Sequence, residues 1–176
     1  MKYIVLLRGI NVGGKRIKMA HLREVLESMG FQDVKTYLQS GNVILTHDST
    51  DKINIAGEIE KELSQKFGFS VNIIIRTKDE LESIINNNPF IKVSDIELDK
   101  LHVTFLYDEP NKKTVSSLNI NKEDNEKFGI NGREIYLYLP NGYARTKLNN
   151  NIFEKKLNTI ATTRNWKTTN KLLELS

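Results

Sequence analysis

The chain contains no cysteine, which excludes disulfides, thiolate nucleophiles and cysteine metal sites, and fits a reducing cytoplasm. Its three histidines, His21, His47 and His102, are too far apart for metal-ligand spacing. Long apolar runs are also missing. The N-terminal run covers only residues 3–7, between Lys2 and Arg8, too short for a signal peptide or a membrane span. A soluble cytoplasmic protein without a membrane partner is expected. There is no Ser-His-Asp order, no Gly-x-Ser-x-Gly elbow and no metal-ligand cluster. Ser40 has no evident base, and Asp79, Glu80 and Glu82 fall at a helix start, where their charge complements the dipole. No catalytic residue, metal or cofactor is therefore assigned, and an enzyme has no positive support.

What is present is enough for a sizeable core in 176 residues. The charge is unevenly spread. Residues 1–35 carry 7 basic and 3 acidic side chains, residues 36–140 carry 12 and 17, and residues 141–176 carry 7 and 2. Basic ends around an acidic middle suit phosphate or nucleic acid, although a solvated lysine-rich surface gives the same pattern.

Periodicity gives the elements. Met19, Leu22, Val25, Leu26 and Met29 predict a helix over 19–29, stopped by Gly30. Two strands, 34–39 and 42–46, flank a tight Ser40-Gly41 hairpin. A second helix repeats Ile55, Ile59, Leu63 and Phe67 up to Gly68, and a short strand follows over 71–76. This β-α-β-β-α-β order is that of the ferredoxin-like plait. Thr77 and Glu80 form a capping-box pattern ahead of Leu81, Ile84 and Ile85.

Beyond that bridging helix come a strand over 101–107, a short helix over 113–118, and strands over 126–130 and 134–139 around Asn131-Gly132. Helices over 151–157 and 166–175 close the chain, the second in place of a final strand. The fold class expected is α+β, two packed ferredoxin-like plaits with the second ending in helices. Residues 1–76 form the first half, 77–98 a bridging helix and connection, and 99–176 the second half with its C-terminal helix.

"LLRGINVGGKRIKMAHL" places Gly9, Gly14 and Lys15 as in a phosphate-cradling Walker A loop. Arg16 stands where that loop needs a magnesium-binding hydroxyl, and a cation cannot coordinate Mg²⁺. The strand 103–107 with Asp108 imitates a Walker B segment, but the strand order is antiparallel where P-loop enzymes are parallel. Nucleotide hydrolysis is disfavoured. Strands one and two of a plait run the same way, so Arg8, Asn11, Gly13, Gly14 and Lys15 should meet Gln39, Ser40 and Asn42 at one sheet end. Those residues either cradle an anion through backbone N–H groups or simply tie two loops together.

The later stretch "PNGYARTK" brings Tyr143, Arg145 and Lys147 into a turn-rich loop, and "TRNW" puts Arg164 beside Trp166. Cations with an aromatic ring suit phosphate and base contacts. In the plainer account, Thr163 or Asn165 caps the last helix and Trp166 packs on Leu172 and Leu173. Tyr136 and Tyr138 on one strand are reminiscent of RNA-recognition plaits, but "KFGINGREIYLY" lacks their signature run.

"LLRGINVGGK", "YLQSGNV", "NNNPF", "YLYLPNGYARTKLNNN" and "TTRNWKTTNKLLEL", in order over almost the whole chain, resemble the bacterial domain of unknown function 1697 family. The resemblance implies a pair of ferredoxin-like plaits and no activity, substrate, cofactor or catalytic residue. It marks positions only: Arg8, Gly9, Asn11, Gly13, Gly14, Gln39, Ser40, Gly41, Asn42, Gly142, Arg145, Lys147, Thr163, Arg164, Asn165 and Trp166. The leading functional expectation is a binding protein for a phosphorylated or anionic small ligand, using Arg8, Asn11, Gly13, Gly14, Lys15, Gln39, Ser40, Asn42, Arg145, Lys147 and Arg164. A nucleic-acid partner, or a structural or protein-partner module without a small ligand, are the alternatives.

Overall fold

The computed structural model describes residues 1–176. It is an α+β fold with two four-stranded antiparallel sheets and six α-helices. The chain divides into two compact units, Met1–Ser83 with Lys171–Ser176, and Ile84–Asn170. It passes from one to the other within one helix and returns within another, so the last six residues, which the sequence placed with the second half, belong to the first unit.

The first unit runs β1 (Lys2–Arg8), α1 (Met19–Ser28), β2 (Gln32–Tyr37), β3 (Asn42–Thr46), α2 (Lys52–Phe67) and β4 (Asn72–Thr77), followed by α3 (Lys78–Asn86). Its sheet order is β2-β3-β1-β4. Tyr3, Val5 and Leu7 of β1 pack with Val43, Leu45, Ile73 and Ile75 against Leu22, Leu26, Ile59 and Leu63 of the helices. Ile4 and Leu6, on the other face of β1, are equally buried, which is why residues 3–7 read as an unbroken apolar run.

The second unit runs β5 (Leu101–Leu106), α4 (Lys112–Ser116), β6 (Lys127–Asn131), β7 (Glu134–Tyr138), α5 (Asn150–Leu157) and β8 (Ala161–Asn165), then α6 (Trp166–Leu175). Its sheet order is β6-β7-β5-β8. Leu106, Ile135, Leu137, Leu139, Phe153 and Leu157 form its core.

Two expectations need correction. The second half does not end in helices alone: β8 pairs with β5 from His102↔Asn165 to Leu106↔Ala161, completing the same β-α-β-β-α-β path as the first unit. This strand was hidden because "ATTRN" has little apolar signal. Its threonines are held by hydrogen bonds instead, with Thr104 Oγ1 and Thr163 Oγ1 paired across the strands at 2.7 Å. The β2–β3 connection is also not a two-residue turn. Tyr37 pairs with Asn42, leaving four residues, 38–41, with Leu38 at φ +58° and Gly41 at φ +76°.

The capping box stands as expected. Thr77 Oγ1 accepts from Glu80 N–H at 3.1 Å, and Glu80 Oε2 accepts from Thr77 N–H at 2.8 Å. Lys52 Nζ donates to Glu80 Oε1 at 2.6 Å. Burial alone raises the Glu80 pKa, but Lys52, the Thr77 N–H and the nearby Arg76 charge outweigh it and hold the carboxyl below its ordinary value. A lowered folded-state pKa stabilises the protein above the unfolded-state value, and that stabilisation is lost as pH falls through the lowered value. Glu80→Gln keeps a cap acceptor but removes the charge. In denaturant titrations at stepwise lower pH, the stability gap between wild type and variant should be present at pH 7 and shrink as the pH drops below the ordinary glutamate range. A gap independent of pH would show that the charge contributes nothing.

Candidate functional site

The glycine-rich loop of the first unit is held by its own side chains. Asn11 sits at φ +57°, a left-handed conformation that asparagine tolerates better than most residues. Its Nδ2 donates to Ile17 O at 3.1 Å and to Gln39 O at 2.6 Å, and its Oδ1 accepts from Ile17 N–H at 2.9 Å. One side chain therefore closes the loop and fastens it to the β2–β3 connection. Gly13 and Gly14, both at positive φ, let the exposed tip turn.

Lys15 Nζ donates to Ser70 O at 2.8 Å and lies 5.8 Å from the centre of the Phe69 ring. It tethers the tip to the α2–β4 connection. Arg8 is half-buried at the end of β1, opposite Asn72. Asn42 is fully buried and donates to Tyr37 O at 2.8 Å and to Ser40 Oγ at 3.0 Å. Gln39 and Ser40 are exposed. The Gly41 carbonyl accepts from Leu7 N–H at 2.9 Å. A Cβ there would meet Leu7 Cβ and Ile10 Cδ1 at 2.8 Å, so only glycine fits. The structure thus brings Asn11 to Gln39, as the topology requires, and uses the polar groups at the junction to fasten it.

Arg145, Lys147 and Arg164 lie in the second unit. Arg164, on β8, is 7 % exposed, and its guanidinium donates to Thr162 Oγ1 and Thr163 O, each at 2.8 Å. Arg145 ends a short 3-10 turn, Tyr143–Arg145, and is exposed. Tyr143 is held at both ends: its ring stacks on His102 with centroids 5.5 Å apart, and its hydroxyl donates to Thr163 Oγ1 at 3.3 Å. Thr163 Oγ1 donates in turn to Asn150 Oδ1 at 2.7 Å, and Asn150 N–H donates back to the Tyr143 hydroxyl at 3.2 Å. This closed ring of hydrogen bonds pins the loop to β8. Burial lowers the pKa of His102, with its bond to Lys100 O opposing, so the stacked ring is neutral at neutral pH.

Tyr136 and Tyr138 are 2 % and 8 % exposed. Burial, helped by the Glu134 charge, pushes the Tyr136 phenol up to about 12, and its hydroxyl donates to Ile84 O at 3.0 Å. Neither ring presents a face for base stacking. Asn165 Oδ1 accepts from Thr168 N–H at 2.7 Å, so it caps α6.

Of the expected set, Lys147 lines a cavity of the second unit. That cavity, about 700 Å³, is built from three segments of the second unit. The α4–β6 connection contributes Asn119, Ile120 and Asn121; the β7–α5 connection contributes Thr146, Lys147 and Asn149. One face of α5 adds Asn151, Ile152, Lys155 and Lys156, spaced three and four apart as a helical face requires. Three lysines line it and no carboxylate does. No group of His, Cys, Asp or Glu is placed to hold a metal ion.

Lys155 and Lys156 escaped the sequence reading because basic residues in a last helical turn already have a role there. The signal that finds them is the comparison of the two units. The α1–β2 connection takes residues 29–31 and the β3–α2 connection residues 47–51, whereas their counterparts take 117–126 and 139–149. In the first unit the two short connections touch through Phe31 and His47, ring centroids 5.0 Å apart. In the second unit the longer ones line the cavity.

A family model described as "Protein of unknown function (DUF1697)" matches residues 1–136. The chain belongs to this family. Among solved structures it is similar to the conserved bacterial protein SP0830 from Streptococcus pneumoniae, with a TM-score of 0.75 and 24 % identity over 99 % of this chain and 97 % of that one. At that identity the likeness concerns the fold. No curated protein matches the chain. No helix is long and apolar enough to cross a membrane.

The bonding of Asn11 predicts a structural role that its two substitutions separate. Asn11→Ala should cost about 3 kcal/mol in denaturant unfolding, combining lost hydrogen bonds with left-handed strain. Asn11→Gly removes the same bonds but relieves the strain, and should recover about 1 kcal/mol of that loss. Two variants as stable as wild type would mean that the junction contributes nothing to the fold.

Proposed function

We propose that the protein binds a phosphorylated or otherwise anionic small ligand, and that the cavity of the second unit is its seat. The observation that carries this reading is the lining: Lys147, Lys155 and Lys156 with no acidic residue, in about 700 Å³. Ligand pockets typically span about 300–1,000 Å³ and carry a few converging polar groups. Three ammonium groups around one space repel each other, and a bound anion relieves that repulsion. Both connections lining this cavity, residues 117–126 and 139–149, are longer than their counterparts in the first unit. The residues in the loop junction of the first unit, Asn11 and Lys15 above all, belong to its architecture. No catalytic step is assigned to any residue.

The same reading takes each unit as a ferredoxin-like plait. The β-α-β-β-α-β path and the sheet orders β2-β3-β1-β4 and β6-β7-β5-β8 support it. The absence of cysteine favours a cytoplasmic setting.

Thermal unfolding against inorganic phosphate, pyrophosphate, sugar phosphates and short oligonucleotides, at low and moderate salt, tests the proposal. Binding to the native state adds about 2.7 kcal/mol at a hundredfold excess over Kd. A saturable rise in Tm with small phosphates is expected, reduced in a Lys147→Ala/Lys155→Ala variant, whose changes fall on exposed side chains. An undiminished rise in that variant would move the site elsewhere. A rise confined to oligonucleotides and erased by salt would replace the small ligand with nucleic acid.

A further inference from the structure

We infer that the ligand of this cavity is a nucleoside phosphate, an inference that rests on the anion-binding reading and narrows it. A bare phosphate uses only the charged part of a space of about 700 Å³. The remainder has a distinct chemistry. Ile120, 9 % exposed, and the half-buried Ile152 supply apolar surface from two different segments, and a flat heteroaromatic body is what such surface buries well. Asn119 and Asn121 flank Ile120 on the same connection, both exposed. A carboxamide offers a donor and an acceptor side by side, the pairing that matches the edge of a nucleobase.

The charges lie on other segments from those amides: Lys155 and Lys156 on α5, and Lys147 on the β7–α5 connection. Asn119, Ile120 and Asn121 thus form a neutral wall on one segment, facing a cavity whose three lysines come from the other two, with Ile152 on the same α5 face as Lys155 and Lys156. A molecule with a phosphate at one end and a base at the other uses both. An acyl phosphate would leave the Asn119 and Asn121 amides unused, whereas a base edge pairs with them. A sugar phosphate would leave the isoleucines unused.

Calorimetric titration of the full chain decides this, with the four ribonucleoside monophosphates, their nucleosides, ribose 5-phosphate, pyrophosphate and a short-chain acyl phosphate as probes. At least one nucleotide should bind about tenfold or more tightly than ribose 5-phosphate. In Asn119→Ala/Asn121→Ala, two changes in an exposed connection, that margin should collapse while binding of ribose 5-phosphate stays. In Lys147→Ala/Lys155→Ala, nucleotide and sugar phosphate should weaken together. If ribose 5-phosphate or pyrophosphate binds as tightly as every nucleotide, the nucleotide inference fails and the anion reading survives. Preference for the acyl phosphate also overturns the inference alone. A nucleoside that binds as tightly as its nucleotide removes the role of the lysines, and no binding by any probe overturns both readings.

Discussion

In both sheets the first strand of the unit is held between two antiparallel neighbours, β3 and β4 around β1, β7 and β8 around β5. That pairing decides which connections meet. It makes β1 and β2 run the same way, so the β1–α1 loop, the β2–β3 connection and the α2–β4 connection gather at one end of the sheet. Asn11 to Gln39 and Lys15 to Ser70 are the resulting bonds. The α1–β2 and β3–α2 connections fall at the opposite end. In the second unit their counterparts carry the lysine-lined cavity. The two basic motifs that the sequence makes conspicuous, the glycine-rich loop and the "YARTK" segment, thus occupy opposite ends of the repeated path.

Legibility followed the type of interaction. The first unit could be read almost completely because its strands and helices are apolar at periods of two and 3.6. Its caps also use residue types whose role is local, as with Thr77 and Glu80. The strand β8 could not be read, because Thr162, Thr163 and Arg164 are buried or half-buried through hydrogen bonds to one another and to Thr104. The site was harder for the same reason. Asn11, Arg164 and Tyr143 look like ligand groups in sequence, and each spends its polar atoms on the chain itself. A hydrogen-bonding side chain has no sequence signature that tells an internal partner from an external one. Lys147 was visible only as part of a motif, and the cavity joins its stretch to residues 119–121, which lie far from it in sequence.

Comparison of the two units makes the internal roles clearer. Each closes its sheet with a strand that ends in a buried arginine followed by a helix-capping residue, Arg76 with Thr77 and Arg164 with Asn165. Each arginine donates to the carbonyl of the residue before it, Ile75 at 3.0 Å and Thr163 at 2.8 Å. A guanidinium removed from water is costly unless it is bonded within the protein. Its recurrence at the same step of the path, in units with little apolar pattern in common there, marks it as part of the architecture.

The same comparison separates architecture from surplus. Lengthening a surface connection costs little closure entropy, since each doubling adds only about 0.6 kcal/mol, so length alone requires no compensating contact. The first unit closes this end with Phe31 against His47 and lets Asp51 cap α2 through Ile53 and Asn54 N–H. The second keeps the cap, through Asn149 to Ile152 N–H at 3.2 Å, but replaces the aromatic closure with longer connections and an open space. What the fold needs at this position is therefore the cap, which both units supply. The last-turn position of Lys155 and Lys156 complements the α5 dipole, but it does not account for Lys147 joining them around one cavity.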